Sequence, residues 1–276
     1  MSRLANALDL LHRFAARYKW TTLLAIKLRN QCQRVVGHRV AESCKPNANG
    51  EFWLLHALGG RLRVVVDVGA NVGEWTAMAL AENPELERAV LLEPDERNIS
   101  QLRVRFANRA PVVLRAEVAS SAAGYRTFYV AQDCTIGSCV PPAEGRTDVL
   151  AAREVKAVTI DDLLGDLGLD NVDFLKVDTE GHDFDVVLGA ARQLSQRRLG
   201  VIQFEYGADY VRAGRTLTCF RRMLAGYGYK VFLLGPRGLR DVDHDLLGEH
   251  FSYSNYVALR ADFVDLLGPS IERSRV

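Results

Sequence analysis

No C-x-x-C pair occurs among the 276 residues, and the five cysteines (Cys32, Cys44, Cys134, Cys139 and Cys219) are an odd number without zinc spacing. That excludes a zinc ribbon and argues against a secreted disulfide framework. Reduced thiols are expected, with Cys134 and Cys139 near enough in sequence to approach each other in a loop. Long apolar runs are lacking too. No stretch reaches the ~20 residues of a membrane span, and Arg13, Arg17 and Lys19 break up any leader-like apolar segment. The expected compartment is the cytoplasm. Net charge is close to absent, +1 over the whole chain, so there is no overall electrostatic case for nucleic acid. Neither a Ser-His-Asp nor a Cys-His nucleophile can be assembled, and no metal site is expected.

What is present is a hydrophobic fraction of 48%, that of a packed globule long enough for one large α/β domain plus an extension. The charge is unevenly spread. Up to Arg39 there are eight basic residues (Arg3, Arg13, Arg17, Lys19, Lys27, Arg29, Arg34 and Arg39) against Asp9 alone. This marks residues 1–45 as a basic helical appendage to a domain at 46–276. Leu4, Leu8, Leu11, Phe14 or Ala15, and Tyr18 share one face at helical spacing, and a second helix is expected over 22–36. Such a helix can lie on an anionic membrane, pack on the domain or pair two subunits as a homodimer. Lys45-Pro46-Asn47-Ala48-Asn49-Gly50 reads as a linker.

Beyond the linker, strands and helices alternate, which predicts a mainly parallel sheet. Strands are expected at 64–68, 89–93, 111–118, 125–130, 172–178 and 201–205, with a short extra one at 154–158. Helices are expected at 51–58, 72–81, 95–108, 184–194 and 217–225, with Thr159 and Asp162 as a helix cap. Residues 230–234 and 253–259 can pair antiparallel at the C-terminal sheet edge. Residues 131–154, with Gly137, Pro141, Pro142 and Gly145, read as a long loop of the kind that is functional or disordered.

The densest signal is Val64-Val65-Val66-Asp67-Val68-Gly69-Ala70-Asn71-Val72-Gly73-Glu74. An apolar β-branched strand runs into a turn through two glycines and then a helix, the form of a nucleotide-type cofactor site at the carboxyl edge of an open α/β sheet. Gly69 and Gly73 allow close backbone approach to a ligand. Asp67 bears on which cofactor. A carboxylate at the strand tip repels a pyrophosphate but attracts the ammonium and sulfonium of S-adenosyl-L-methionine. Asn71 also interrupts the full G-x-G-x-x-G pattern. Glu93, twenty positions after Gly73, ends the next strand where a carboxylate can accept both ribose hydroxyls of an adenosine. As an alternative it is a helix-entry charge. Glu117 either approaches the adenine amino group or is a solvated charge.

A second cluster is Phe174-Leu175-Lys176-Val177-Asp178-Thr179-Glu180-Gly181-His182-Asp183. Period two puts Lys176 and Asp178 on one face, and a lysine inside a central strand needs a partner such as Asp178. Asp178 or Glu180, with Glu205 from the next strand, converge where a carboxylate can hold a hydroxyl and take its proton during methyl transfer. Alternatively Glu180 and Asp183 cap the helix that follows. His182 is the other candidate base, or a peripheral residue.

The runs Val66-Asp67-Val68-Gly69-Ala70-Asn71-Val72-Gly73, Leu92-Glu93-Pro94-Asp95 with Asn98 and Leu102, and Leu175-Lys176-Val177-Asp178-Thr179-Glu180-Gly181 resemble the FkbM-type methyltransferase family. Thr159-Ile160-Asp161, Gly189-Ala190 and Asn255-Tyr256-Val257-Ala258 extend the resemblance, which covers about 64–259. It implies a Rossmann-like class I fold, S-adenosyl-L-methionine as cofactor, and methyl transfer to hydroxyls of sugars, glycolipids or polyketides. Ala119-Ser120-Ser121-Ala122 lacks the acidic residue often found there. The residue-level alternatives are a nicotinamide-dependent oxidoreductase, NAD(P) on the same sheet, and a non-catalytic binding module.

Overall fold

The computed structural model of the protein describes residues 3–40, 45, 48–134 and 136–273. Cys44 and the Pro46-Asn47 part of the expected linker lie outside them. Two units result, Met1–Arg39 and Val40–Val276. In the first, α1 (Arg3–Ala15) and α2 (Lys19–Val40) are joined by a short turn. The second helix starts before the expected residue 22. The Thr21 and Thr22 hydroxyls donate back to the Tyr18 carbonyl at 2.7 and 3.3 Å, which draws both threonines into the first turn. No described helix is long and apolar enough to cross a membrane.

The second unit opens with α3 (Glu51–Ala57), β1 (Val64–Val68), α4 (Glu74–Glu82), β2 (Arg88–Leu92), α5 (Glu96–Arg105) and β3 (Val112–Arg115). The strand expected over 111–118 breaks here. After β3 the chain leaves the main sheet, and β4 (Val118–Ala119), β5 (Gly124–Ala131) and β6 (Val149–Val158) build a separate sheet in the order β4-β6-β5. The short strand expected at 154–158 is thus a ten-residue partner of β5, and the loop contracts to 132–148.

The main sheet resumes after α6 (Ile160–Leu167) with β7 (Val172–Val177), α7 (Asp183–Leu188), α8 (Ala191–Ser195), β8 (Leu199–Tyr206), α9 (Asp209–Arg212), α10 (Leu217–Gly226), β9 (Lys230–Gly235), β10 (Gly238–Asp241), α11 (His244–Leu247), β11 (Ser254–Leu259), α12 (Ala261–Leu267) and β12 (Ile271–Arg273). Thr159 caps α6 as expected, accepting from the Asp162 N–H at 2.9 Å. The helix expected over 184–194 is broken into α7 and α8 at Gly189-Ala190. A side chain at Gly189 would collide with the Ser120 carbonyl oxygen, so the small sheet presses directly on that break.

Strand order is β12-β10-β9-β11-β8-β7-β1-β2-β3. β3, β2, β1, β7 and β8 are mutually parallel, and β11 runs antiparallel to both β8 and β9. The antiparallel pair expected at the edge therefore lies two strands inside it, with β10 and β12 outside. The apolar strands are covered on both faces. Val66, Val68, Leu175 and Val177 meet α6, α7 and α10 through Leu163, Val187 and Phe220. Val65, Leu91 and Phe174 meet α3, α4 and α5 through Leu55, Trp75 and Leu102. The chain builds outward from β1 to β3 on one side and from β7 to β8 on the other. The crevice at the carboxyl ends of β1 and β7 is therefore the topological switch point, where such sheets bind ligands.

Candidate active site

A cleft of about 590 Å³, counted with the solvent at its open mouth, lies at that switch point. Its wall takes Gly69 and Asn71 from the turn after β1, Glu93 and Pro94 after β2, Glu117 and Val118 at β4, and Asp178, Thr179, Glu180 and His182 after β7. The small sheet and its loop close the remaining side with Phe128, Cys134, Gly137 and Cys139.

Backbone geometry brings these tips together. Gly69 has φ +79°, and a methyl there would run into the Asp178 carbonyl oxygen. Just behind it, the Asp178 N–H donates to Val68 O at 3.0 Å. Gly69→Ala should therefore cost more than ~3 kcal/mol, since strain at a positive φ adds to a backbone clash. A denaturant melt of the variant checks this, and a midpoint equal to the parent's would refute the close approach. Asn71 is also left-handed (φ 50°), a conformation asparagine tolerates.

Glu93 is buried, and each carboxylate oxygen accepts one backbone N–H, Asn71 N on Oε2 and Asp95 N on Oε1, both at 2.8 Å. Burial pushes its pKa up to about 7, against the pull of those two N–H groups. The Asn98 side chain also hydrogen-bonds the carboxylate, and the lone pairs that remain are open to a ligand. Asn71 Oδ1 is buried at the same wall with no hydrogen-bond partner among the described residues. An acceptor pair beside an unpaired acceptor, next to the apolar Leu92, Pro94 and Val118, fits an adenosine with its two ribose hydroxyls. Glu117 is clamped by Arg115 at 2.8 Å and Lys156 at 2.5 Å. Burial alone would raise it, but these two cations outweigh burial and hold it below the usual range.

Asp67 and Gly73 stand apart from the cavity. Side chains alternate along β1, and the Asp67 carboxylate points away from the cavity, where it is fully buried. There it accepts from Thr76 Oγ1 at 2.6 Å and lies 3.9 Å from Lys176 Nζ. Gly73 precedes α4 with φ 79°, its Cα facing Phe106 and Leu102. Lys176 sits in the row Asp67–Lys176–Gln203 across β1, β7 and β8. Its ammonium is buried, 2.8 Å from Asp178 Oδ2. Burial would depress its pKa, but Asp178, Asp67 and Glu51 outweigh burial and raise it.

Glu51, which the sequence did not single out, completes this group from α3. It is buried, accepts from Gln203 Nε2 at 2.5 Å and Asn49 Nδ2 at 3.1 Å, and has its pKa raised by burial. One ammonium thus compensates three carboxylates. Lys176→Met should destabilise the protein by ~3–5 kcal/mol at neutral pH. Protonation of the raised Asp67 and Glu51 carboxyls should make the loss smaller at low pH. Equal losses at pH 5 and pH 8 in chemical melts would contradict this compensation.

Three carboxylates converge on the other side of the cavity. Oxygens of Asp178, Glu180 and Glu205 lie within 4.8 Å of one another, close enough to share a proton or a cation. Glu180 takes a left-handed conformation, φ 54°, ahead of Gly181. Burial, with the charges of Asp178, Asp209 and Asp183, pushes its pKa up to about 8. Glu205 lies behind the wall and is also raised, by burial and by Asp178 and Glu180, while Tyr253 hydrogen-bonds its carboxylate. Asp183 is fully buried, accepts from Thr179 Oγ1 at 3.0 Å and from the Glu205 N–H at 3.2 Å, and so braces the loop. His182 lines the cavity, but burial lowers its pKa, and its Nε2 lies 3.1 Å from Ser120 Oγ. It is a neutral, hydrogen-bonded part of the wall.

The loop contribution had no residue-level signal beyond its length and glycines. Ser138 Oγ lies 2.9 Å from Glu180 O and 3.2 Å from Thr179 O. Arg97 donates to Ala131 O at 2.9 Å, and Asn98 Nδ2 to Cys134 O at 2.9 Å.

A model described as the methyltransferase FkbM domain matches residues 67–231. The AMB antimetabolite synthetase AmbE of Pseudomonas aeruginosa is 24% identical over 244 residues, covering 76% of this chain, which spans only 11% of that synthetase. Among solved structures, methyltransferase FkbM from Methylobacillus flagellatus KT aligns with a TM-score of 0.47 and 16% identity, over 73% of this chain and 47% of that one. An O-methyltransferase from Bacillus cereus in complex with SAH gives 0.42 and 13%, over 83% and 88%.

Proposed function

The chain belongs to the FkbM methyltransferase family of S-adenosylmethionine-dependent enzymes, and on that premise we propose that it methylates a hydroxyl of a sugar, glycolipid or other secondary metabolite. The observation that carries this reading is a division of labour along one cavity. Glu93 and Asn71 offer acceptors at one end, and Asp178 and Glu180 offer carboxylates at the other. The bound cofactor supplies an electrophilic methyl group on a sulfonium.

The chain's own residues have separable tasks in this proposal. Glu93 accepts the two ribose hydroxyls through its remaining lone pairs, and Asn71 Oδ1 takes a further donor. Leu92, Pro94, Val118 and Phe128 exclude water from the adenine, with Glu117 at the rim. Asp67 acts from behind, through Thr76 and Lys176, by fixing the turn. Asp178, held by Lys176, orients the acceptor hydroxyl. Glu180 takes the proton, because a carboxyl raised to about 8 is basic enough to remove it near neutral pH. Asp178, Asp209 and Asp183 set the charge around Glu180, Glu205 backs the cluster from behind the wall, and His182 shapes the wall.

Carboxylates suit an acceptor rich in hydroxyl donors, and the likeness to part of an antimetabolite synthetase supports a small molecule. Isothermal titration should show saturable binding of S-adenosylmethionine and none of NAD. Incubation with labelled cofactor and a panel of glycans and hydroxylated metabolites should then yield a methyl ether. Label appearing on nitrogen alone would overturn the hydroxyl assignment.

A further inference from the structure

The first unit carries an apolar surface of its own. On α1, Leu4, Leu8 and Leu11 fall along one stripe, while Asp9 and Arg13 pair at 2.9 Å on the other side. On α2 the exposed apolar residues, Trp20, Leu23, Leu24, Ile26 and Leu28, are spread around the helix among Lys27, Arg29 and Arg34 rather than gathered on one face. These apolar side chains are exposed, Leu4 by 71% and Trp20 by 67%. Exposed apolar area of this extent marks an interaction surface. Charge argues against a second copy. Up to Arg39 eight basic residues face a single acidic one. Pairing two copies of so basic a unit sets like charges against each other, whereas an anionic bilayer attracts them. A bilayer also accepts a convex apolar surface with no matching groove, and it favours Trp20 and Tyr18 at its polar boundary.

We propose that the first unit lies on an anionic membrane surface, with the leucine stripe of α1 in the acyl boundary and the lysines and arginines at the headgroups. The catalytic unit would then work on acceptors delivered at, or close to, that surface.

Co-sedimentation of the full chain with phosphatidylcholine vesicles, and with vesicles that also contain phosphatidylglycerol, tests this. Binding is expected only to the second kind, and should fade as salt approaches ~1 M, where the screening length is about 3 Å. Leu8→Asp with Leu11→Asp should weaken binding at least about tenfold, and Lys27→Gln with Arg34→Gln should reduce its salt dependence. An unchanged helix signal in circular dichroism shows that each variant keeps α1 and α2 folded. No binding, equal binding to both vesicles, or full binding by the leucine variant would overturn the proposal. So would a dimer in sedimentation velocity that the leucine variant disperses while vesicles go unbound, which would assign the stripe to a second copy.

Discussion

Glu180→Gln is expected to lower the turnover number about 10²–10⁴-fold, the usual contribution of a positioned base, while leaving S-adenosylmethionine affinity within a few-fold of the parent's. Glutamine keeps the shape of the loop and its hydrogen-bonding reach but cannot take a proton. The parent's rate should rise with pH toward about 8 as Glu180 ionises, and the variant's residual rate should lose that limb. Stability supplies an independent readout. The folded pKa of Glu180 lies above its unfolded value, so the native state holds more protons between about pH 4.5 and 8. Parent stability therefore falls as pH rises through that window. The amide has no such charge to bury, so the variant should melt higher than the parent at pH 8.5, with the gap closing toward pH 4.5. A wild-type turnover number would transfer proton removal to Asp178, Glu205 or solvent.

For Glu93→Ala the expected loss is in the cofactor. Two hydrogen bonds to a charged acceptor are worth roughly 1.5–3 kcal/mol each, so the dissociation constant for S-adenosylmethionine should rise about 10²–10⁴-fold. Part of that loss comes from the turn, because alanine also releases the Asn71 and Asp95 N–H groups. Glu93→Gln separates the two causes. In the parent, a proton competes with the ribose below about pH 7, and affinity should weaken by up to about one decade per pH unit there. The glutamine variant should bind more weakly than the parent at pH 8 and show no such slope. Titration calorimetry at pH 6 and 8 measures both quantities. Parent-like affinity in the alanine variant would remove Glu93 from the cofactor site.

The strand tips are legible in the sequence because each is an apolar run that stops on a polar residue. Parallel order then carries Gly69, Asn71, Glu93, Asp178 and Glu180 to one edge without further information. What escapes is the direction of individual side chains. Asp67 and Lys176 occupy facing positions on β1 and β7, and the pleat turns both toward the α3 side of the sheet, where each compensates the other. Glu51 escapes for a different reason. Its partner Gln203 is 152 residues away, a pairing no local pattern reports. The break between α7 and α8 is invisible for the same cause, since it depends on a carbonyl of Ser120 reaching Gly189. The small sheet is misread at β6 because its residues 149–153 alternate too weakly to separate from the loop before them.

The segment at 132–148 is tied to Arg97 and Asn98, beside Glu93, through the Gln132 and Cys134 carbonyls, and through Ser138 to the carbonyls of Thr179 and Glu180. It therefore does not behave as a detachable cassette that could be exchanged to retarget the enzyme. A graft from a relative with another acceptor inherits the orientation of α5 at one anchor and the left-handed kink at Glu180 at the other. An exchange of this segment therefore has to carry both anchors with it.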